Sequence, residues 1–467
     1  MYLRLIHSVI LAAGRGTRMR SAKPKVLHSL AGKPLLHHVL DTVLEMKAER
    51  ISVVVGFESQ QVADSVKSAY AGREIFLPCQ LDQLGTGHAV LQALPSISLN
   101  EQVLVLYGDV PLISDASLRR FIQQSDGKSL GVLTVKLADP TGYGRIVRRE
   151  GKIVAIVEQK DADNDDLAIS EVNTGIMLIP PYLLREALPR LSNDNAQKEY
   201  YLTDLVKHAA ESNINIFSHT VEDFQEVSGV NDRVQLSDLE FFYQQNIRKD
   251  MQVRGVTFAN PGTFLLRGDL VSLGSDIDID QNVIFEGNIT LGSNIKIGSN
   301  CVIRNSSIGD GSQIKDNSII DNAQIGSSSF VGPFARIRPG TVLGDGVHIG
   351  NFVEIKNSFV DTDSKVSHLS YVGDARIGKR VNIGAGTITC NYDGVNKHAT
   401  IIKDDAFIGS NSSLVAPVII YESATIGAGS VICKDALAST LTVARAKQVT
   451  IEGWKRPEKA SKTQKLP

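Results

Sequence analysis

Two different hydrophobic periods divide the chain. Up to about residue 230, short apolar runs alternate with stretches in which apolar residues recur at helical spacing. The runs predict strands at 8–14, 51–57, 102–109, 129–137 and 174–179, and the helical stretches include 34–47 and 59–71. Several runs are apolar throughout, as in strands that helices cover on both faces. The alternation predicts a Rossmann-like α/β domain with a mostly parallel sheet, which binds substrates at the carboxyl ends of its strands.

A single long helix is predicted at the end of this region. Residues 231–253 contain no Gly or Pro, and Leu236, Leu239, Phe242 and Ile247 recur at helical spacing. We therefore predict a first domain at 1–230, a linker helix at 231–254 and a second domain at 255–467.

The second domain has a hydrophobic period of six residues, with an occasional step of five. The repeating positions are Leu291, Ile297, Ile303, Ile308, Ile314, Ile320, Ile325, Val331, Ile337, Leu343, Ile349, Ile355, Val366, Val372, Ile408, Leu414, Ile420, Ile426 and Ile432. Gly often follows these positions, which we interpret as corners that need a positive φ or a close backbone approach. A period of six is typical of a parallel β-helix, in which stacked coils bury a continuous aliphatic column.

Two segments interrupt this period, at 356–365 and at 387–400. We interpret the second as an extruded loop, and such loops often lie on the functional face of a solenoid. The last stretch, 446–467, leaves the pattern; its Lys-rich end is expected to be a solvated terminus.

Composition narrows the class of protein. A chain of 467 residues is too long to fold around a single hydrophobic core, so more than one domain is expected. The net charge of −2 gives no global attraction to nucleic acid or to an acidic membrane. No apolar run approaches the roughly 18–20 residues that span a bilayer, and we interpret the apolar amino terminus as a buried strand, not a signal peptide. The four cysteines are widely spaced, which favours reduced thiols in a cytoplasmic protein.

A loop rich in small residues follows the first predicted strand. Residues 11–19 read LAAGRGTRM, and residues 24–28 read PKVLH. Small residues let backbone amides approach a phosphate, while Arg15, Arg18 and Lys25 supply positive charge. The spacing fits neither a P-loop nor a dinucleotide-binding fingerprint. A tight strand-to-helix turn is the alternative explanation of the glycines.

Polar residues also follow other predicted strands. Asp109 in YGDVPL (107–112) is a candidate metal ligand, although an Asp there could simply cap the next turn. Further polar loops are QLGTGHA (83–89), GYGRI (142–146), VEQK (157–160), VNTG (172–175) and VSGVNDR (227–233).

Together these motifs resemble the nucleotide-sugar pyrophosphorylases. In detail they are similar to the bacterial bifunctional N-acetylglucosamine-1-phosphate uridyltransferase/glucosamine-1-phosphate acetyltransferases, along nearly the whole chain. The resemblance implies that Arg18 and Lys25 neutralise the triphosphate of UTP, and that Asp109 and Asn231 hold Mg²⁺. It implies nucleotide contacts at Leu11, Ala12, Ala13, Gly14, Gln80, Gly85 and Thr86, and sugar contacts at Tyr107, Gly108, Gly144, Glu158 and Asn173.

The polar residues of the second domain cluster around the interruptions. FARIRPG (334–340), NFVEIK (351–356) and SHLSYVGD (367–374) bring Arg, Lys, Tyr and His side chains into neighbouring repeats. His368 is a candidate general base, since the ordinary pKa of histidine, about 6.5, lies near working pH. A surface histidine without a role is the alternative.

The family resemblance implies an acetyltransferase site shared between the chains of a trimer. His368 would take a proton from the amine of glucosamine 1-phosphate, and the Ala385 amide would stabilise the oxyanion. Phosphate and sugar contacts would come from Arg338, Lys356, Tyr371 and Asn382, and acetyl-CoA contacts from Asn391, Tyr392, Ser410, Ala428 and Arg445. The chain departs from the family after Arg445, where it has Lys447 in a region that usually contains Pro.

We therefore predict an enzyme that makes UDP-N-acetylglucosamine from glucosamine 1-phosphate, acetyl-CoA and UTP, with Mg²⁺ as cofactor. A homotrimer is expected, without nucleic-acid binding or membrane insertion. One alternative is a monofunctional sugar-1-phosphate nucleotidyltransferase whose β-helix is a trimerisation scaffold. Another is a non-catalytic nucleotide-binding module on a structural solenoid.

Overall fold

The computed structural model describes residues 5–459, and the chain divides into two compact units. The first unit comprises Met1–Met251 and Leu265–Gly268, and the second comprises Gln252–Phe264 and Asp269–Pro467. None of the helices within 5–459 is long and apolar enough to cross a membrane.

The first unit is built on a nine-stranded mixed sheet and a separate two-stranded ribbon. Its strands are β1 (Ile6–Ala12), β2 (Ser29–Leu30), β3 (Lys33–Pro34), β4 (Arg50–Val55), β5 (Ile75–Phe76), β6 (Gln102–Tyr107), β7 (Leu130–Lys136), β8 (Arg145–Arg149), β9 (Lys152–Val157), β10 (Glu171–Ile179) and β11 (Ile216–Val221). Its helices are α1 (Leu35–Glu45), α2 (Ser59–Ala69), α3 (Thr86–Ala93), α4 (Asp115–Gln123), α5 (Asn164–Leu167), α6 (Pro181–Ala187), α7 (Asp204–Glu211) and α8 (Arg233–Val253), the last running two residues into the second unit. Short 3₁₀ helices lie at Thr17–Met19, Lys25–Leu27, Leu94–Ser96, Leu188–Arg190 and Phe224–Val227.

The main sheet has the strand order β11-β7-β10-β6-β1-β4-β5. Strand β1 is parallel to both neighbours, β4 and β6, and all seven of its residues are buried. Strand β10 is antiparallel to β6 and β7. Apolar clusters cover both faces of the sheet, which explains why its central strands are apolar throughout.

The structure confirms the predicted α/β class and the predicted strands, with bounds shifted by a few residues. The long helix predicted at 231–253 is α8, Arg233–Val253. The hydrophobic pattern does not reveal the β8–β9 hairpin or β11. These strands are less buried than β1, so their residues carry a weaker apolar signal.

The second unit is a left-handed parallel β-helix, as predicted, whose short strands form long ladders. One ladder contains Val256–Phe258, Ile277–Ile279, Lys296–Ile297, Gln313–Ile314, Phe330–Val331, His348–Asn351, Lys365–His368, Asn382–Ile383, Phe407–Ile408, Thr425–Ile426 and Leu441–Thr442. The other contains Leu265–Leu273, Ile284–Leu291, Val302–Arg304, Ser307–Ile308, Ile319–Asp321, Gln324–Ile325, Arg336–Ile337, Val342–Leu343, Glu354–Lys356, Phe359–Val360, Tyr371–Gly373, Ala375–Ile377, Ile388–Cys390, Thr400–Ile402, Ser413–Val415, Val418–Ile420 and Val431–Ile432. Apart from the last two residues of α8, the only helix described in this unit is a 3₁₀ turn at Pro261–Thr263, and the first four residues of the strand Leu265–Leu273 belong to the first unit.

The aliphatic period explains this fold. Every repeating position named above is at most 3% exposed, so each coil adds its aliphatic side chains to one continuous core. Glycines such as Gly298 serve close approach rather than positive φ, since a Cβ there would lie 2.1 Å from Asp316 Oδ1. Asn300 and Asn317 instead take φ of 59° and 60°, a left-handed conformation that asparagine tolerates better than most residues.

The predicted interruption at 356–365 is wrong. Val360 is fully buried within the strand Phe359–Val360, so the aliphatic column continues with one five-residue step after Ile355. The predicted loop at 387–400 is shorter than expected, because Thr389 and Thr400 are buried in the ladder at 2% and 0% exposure. Residues 392–399 form the extruded part, since Asn391 is itself buried.

Candidate active sites

The first unit contains a cavity of about 770 Å³ beside the carboxyl ends of β1 and β6. The structure brings twelve of the predicted nucleotide-site residues to its wall. These are Leu11, Ala12, Ala13, Gly14, Arg18, Lys25, Gln80, Gly85, Thr86, Tyr107, Asp109 and Asn231. These residues come from loops that are far apart in sequence, and the topology of the sheet brings the loops together.

Lys25 joins the two predicted metal ligands. Its Nζ donates to the Asp109 carboxylate and, at 3.2 Å, to Asn231 Oδ1. The backbone N of Val230 donates to Asp109 O at 2.9 Å, which ties the loop before α8 to the end of β6. Within residues 5–459, the Asp109 carboxylate accepts from Lys25 and from no turn amide, so turn capping does not explain this residue.

A second loop closes another part of the cavity wall. Gln80 is buried, and its Nε2 donates to Gly85 O at 3.1 Å. Thr86 Oγ1 accepts from the backbone N of Leu202 at 3.0 Å. A Cβ on Gly85 would lie 2.7 Å from Tyr200 O, and Gly85 has a φ of +107°, so glycine is required at this turn. The loop is therefore fixed by Gln80 on one side and by Tyr200 and Leu202 on the other.

Gly108, Gly144, Glu158 and Asn173 do not line the cavity. Gly108 packs tightly, since a Cβ there would lie 3.2 Å from Leu36 Cδ1, and the backbone N of Asn173 donates to Gly144 O at 2.8 Å. Glu158 accepts from Thr203 Oγ1 at 3.2 Å. None of these four predicted residues is therefore part of the cavity wall.

Burial changes the acidity of two groups near the wall. It raises the pKa of the Glu158 carboxyl, and the neighbouring carboxylates act in the same direction although the Thr203 hydroxyl opposes them. Burial likewise raises the pKa of the Tyr107 hydroxyl, with the charge of Glu158 acting in the same direction. A Cβ on Gly175 would lie 2.5 Å from the Tyr107 ring, so the glycine of VNTG makes room for this side chain.

In the second unit, His368, Ala385, Ser410 and Ala428 lie at the same corner of successive coils. We refer to this column of residues as the His368 corner. Backbone hydrogen bonds define the column: Gly386 N donates to His368 O (3.3 Å), Asn411 N to Ala385 O (2.7 Å) and Gly429 N to Ser410 O (2.8 Å). Arg445 extends it, because its Nη1 donates to Ala428 O at 2.7 Å. Five residues predicted for the acetyltransferase site thus share one corner.

Asn351 lies in the coil next to His368 and was missed by the sequence analysis. The two residues are paired in the ladder, and His368 Nδ1 lies 2.6 Å from Asn351 Oδ1. An amide oxygen can only accept a hydrogen bond, so Nδ1 carries the proton and Nε2 is left as an acceptor. The spacing of 17 residues between them, which also separates other paired strands, was the signal that could have found Asn351.

Arg338, Lys356 and Tyr371 lie on the adjoining face. Arg338 Nη1 donates to Glu354 Oε1 at 2.7 Å, and this carboxylate raises the pKa of the guanidinium. Glu354 pairs with Tyr371 in the ladder, and Lys356 pairs with Gly373. Two cations and a phenol on one face can bind an anion such as a phosphate.

The extruded loop is organised by its own hydrogen bonds. Asn391 Nδ2 donates to the Asp374 carboxylate, and Tyr392 Oη donates to Gly394 O at 2.5 Å. His398 Nε2 lies 2.8 Å from Asp393 Oδ2. The backbone N–H of Asn396 holds the pKa of Asp393 well below its usual range, with His398 contributing.

Asn382 lies outside the loop, on the ladder that contains His368. It pairs with Lys365 in one neighbouring coil and with Phe407 in the other. The structure therefore places it on the face that ends at the His368 corner.

The two sites and the two folds define a nucleotidyltransferase joined to a hexapeptide-repeat acyltransferase. Models of known families match accordingly: a MobA-like NTP transferase domain at residues 8–207, a GMPPB C-terminal domain at 269–368 and a hexapeptide repeat of succinyl-transferase at 399–434. The chain is 51% identical to the bifunctional protein GlmU of Saccharophagus degradans, over 97% of this chain and 100% of that protein. It is 52% identical to GlmU of Idiomarina loihiensis, over 96% and 98% of the two chains.

The chain therefore belongs to the GlmU family of bifunctional enzymes. Its first half is the uridylyltransferase, and its hexapeptide-repeat half is the acetyltransferase. Among solved structures, a UDP-glucose pyrophosphorylase complexed with UDP-glucose matches at 18% sequence identity and a TM-score of 0.43, over 51% of this chain and 98% of that chain.

Proposed function

We propose that the chain makes UDP-N-acetylglucosamine in two steps with the residues described above. The second unit transfers an acetyl group from acetyl-CoA to glucosamine 1-phosphate. The first unit then transfers the uridylyl group of UTP to N-acetylglucosamine 1-phosphate and releases pyrophosphate. The observation that carries this proposal is the gathering of twelve separately predicted residues around one cavity.

Uridylyl transfer at this cavity needs alignment and charge neutralisation. The sugar 1-phosphate oxygen attacks the α-phosphorus of UTP, and the bond to the departing pyrophosphate breaks. Arg18 and Lys25 would neutralise the triphosphate, while backbone groups of 11–14 and the Gln80 loop would hold the nucleotide. Gly144, Glu158 and Asn173 would support the sugar end, with no protein nucleophile required.

Asp109 and Asn231 would hold the Mg²⁺ ion. The donor set fits, because a carboxylate and an amide oxygen already converge on a single cation, the Lys25 ammonium. No group of three or more His, Cys, Asp or Glu residues suited to a metal occurs within residues 5–459. Mg²⁺ commonly takes one or two protein oxygens and completes its shell with phosphates and water, and it would neutralise phosphate charge.

Acetyl transfer would use the corner column. The amine of glucosamine 1-phosphate attacks the thioester carbonyl, His368 Nε2 takes the proton that the nitrogen loses, and the carbon–sulfur bond breaks to release coenzyme A. The Ala385 amide would stabilise the oxyanion. Arg338, Lys356 and Tyr371 would bind the phosphate and Asn382 the sugar, while Asn391, Tyr392, Ser410, Ala428 and Arg445 would contact the coenzyme.

We also propose a homotrimer, domain limits at 230 and 254, and a cytoplasmic location. Exposed apolar side chains beside the His368 corner support a covering subunit: Phe334 and Phe352 stack at 5.1 Å, and Leu369 is 63% exposed. The four cysteines are all free, which supports a reducing compartment.

Two substitutions test the division of labour. Asp109→Ala should lower pyrophosphate release from UTP and N-acetylglucosamine 1-phosphate about a thousandfold, with acetyl transfer nearly unchanged. His368→Ala should lower glucosamine 1-phosphate-dependent thiol release from acetyl-CoA by about 10²–10⁴, with uridylyl transfer nearly unchanged. His219→Ala, at a partly exposed histidine on β11 of the first unit that lines neither site, is the matched control.

Other outcomes would identify the alternative functions. Loss of both activities from either folded variant would contradict two independent sites. Absence of thiol release from active, folded wild-type protein would favour a monofunctional nucleotidyltransferase with a scaffold β-helix. Absence of both reactions would favour a non-catalytic nucleotide-binding module.

A further inference from the structure

Arg145 is a buried arginine to which the reaction scheme gives no role. It begins β8 and is only 2% exposed. Within residues 5–459, its guanidinium forms hydrogen bonds to the Tyr143 carbonyl oxygen and to Gln159 Oε1 (2.8 Å), while its Nε has no partner. None of these partners is a carboxylate. Hydrogen bonds from Thr141 lower the pKa of the Asp139 carboxyl, and Arg145 is near enough for its charge to contribute. This carboxylate is exposed, however, and makes no hydrogen bond with the guanidinium in the part of the chain that the structure describes. A buried charge that forms no ion pair is costly to keep, so stability alone does not explain it.

Gln159 connects Arg145 to the turn at residues 139–143. The same Oε1 atom accepts from the backbone N of Gly142 at 3.1 Å. Thr141 N donates to Asp139 Oδ1 at 3.1 Å, and Tyr143 N donates to Pro140 O at 3.2 Å. Arg145 therefore holds this turn twice, directly through Tyr143 and indirectly through Gln159.

The turn is part of the nucleotide cavity. Thr141, Gly142 and Tyr143 all line it. The next residue, Gly144, packs against Glu158, since a Cβ there would lie 3.3 Å from either carboxylate oxygen. Gly144 and Glu158 are the residues proposed to support the sugar, so the turn lies at the sugar end of the cavity.

We propose that Arg145 is a positioning residue for the sugar 1-phosphate in uridylyl transfer. The guanidinium fixes the 139–143 turn through Tyr143 and Gln159. This turn then shapes the sugar end of the cavity. This inference rests on the proposed function of the first unit, because it assigns that end to a sugar 1-phosphate.

Steady-state kinetics of three variants test the proposal. Arg145→Lys keeps the charge but loses the forked donor, and Gln159→Leu removes the shared acceptor. Both should raise the KM for N-acetylglucosamine 1-phosphate about tenfold, as expected for losing a hydrogen bond to a charged group, and should leave the KM for UTP within about twofold. Gln159→Glu keeps the acceptor and should restore values near wild type.

The acetyl-transfer rate of each variant serves as an internal control for the amount of intact chain, and an unchanged KM for UTP shows that the first unit keeps its nucleotide site. Equal changes in the two Michaelis constants, or a Gln159→Leu enzyme with wild-type constants, would overturn the proposal.

Amide hydrogen exchange separates this inference from the proposed function. Without substrate, the Gly142 N–H should exchange faster in Gln159→Leu and Arg145→Lys than in wild type, because its acceptor is lost or loosened. Unchanged exchange in both variants would overturn the positioning role. Failure of wild-type protein to uridylylate N-acetylglucosamine 1-phosphate would instead contradict the proposed function.

Discussion

The nucleotide cavity and the solenoid corner assemble their residues in opposite ways. The cavity draws on loops as distant in sequence as those of Gly14 and Asn231, which the crossovers of the sheet bring together. The corner draws on residues one coil apart, such as Asn351 and His368. Long-range packing of the sheet therefore determines the first site, whereas coil length determines the second.

The causes of the pKa shifts also differ between the two sites. In the first unit, burial is the main cause of the raised pKa values of Tyr107 and Glu158. In the second, exposed Arg338 and Asp393 have shifted pKa values because of individual hydrogen-bond partners. Screening by solvent is weak in the cavity and strong at the corner, so binding at the corner depends more on geometry.

Removal of the extruded loop is expected to have the largest effect. Across the loop, paired residues such as Arg380 and Asp405 are 25 positions apart, whereas in the other coils the spacing is 17 or 18. Deleting 392–399 should restore a coil of ordinary length and leave the ladder intact. Acetyl transfer should fall about a hundredfold or more from lost substrate alignment, with uridylyl transfer unchanged.

Thermal unfolding of the deletion variant is the control, since an intact ladder should keep its transition near that of wild type. Acetyl transfer at the wild-type rate would show that the corner functions without the loop.

Substitution of Asn351 should have an intermediate effect. Asn351→Leu removes the acceptor that fixes the His368 ring, so acetyl transfer should fall about tenfold. Asn351→Asp keeps an acceptor and should retain most of the rate. An Asn351→Leu enzyme as fast as wild type would mean that the ring is oriented by something else, such as substrate.

The smallest expected effect is a difference in acid sensitivity. Burial lowers the pKa of His7, His28 and His37 in the first unit, and of His348 in the second. A lowered pKa favours the neutral ring in the folded state, so its stabilising contribution is complete above about pH 6.5 and is lost as the pH falls below that value.

Thermal inactivation at pH 7.5 and 5.5 would measure this difference. On lowering the pH, the half-life of uridylyl transfer should shorten more than that of acetyl transfer. His7→Gln should reduce this difference between the two activities. Equal shortening of the two half-lives would contradict the greater acid sensitivity that we assign to the buried histidines of the first unit.

The sequence predicted the fold best where the pattern was strict. Every predicted aliphatic position of the solenoid is buried, because the side chain at each of these positions points into the core. The position two residues earlier, as at Ser312, Ser318 and Val347, is buried as well. The strand around Val360 was missed because a five-residue step resembles an interruption. The antiparallel direction of β10 was not predicted either, since apolar content does not specify strand direction.

The site residues were predicted from their types and motifs, but their contacts were not. The motif assigns Lys25 to the triphosphate, but only the fold brings its ammonium onto Asp109 and Asn231. Arg145 lies inside the GYGRI motif, yet its burial depends on the β8–β9 hairpin, which periodicity did not reveal. The functional limits of the domains and the roles of the site residues stay predictions.

The hydrogen bond between Asn351 and His368 makes the corner sensitive to changes in chain length. Because the ladder accommodates coils of 17 or 18 residues, an insertion or deletion of several residues between them would be needed to move the histidine off its partner, although no site residue had changed. The extruded loop is different, because it begins and ends at the ladder and can vary in length without shifting the coils. Along this half of the gene, codon gains and losses between residues 392 and 399 should therefore leave the coils stacked while changing the acetyl-transfer rate, whereas changes of several codons between 351 and 368 should separate His368 from Asn351.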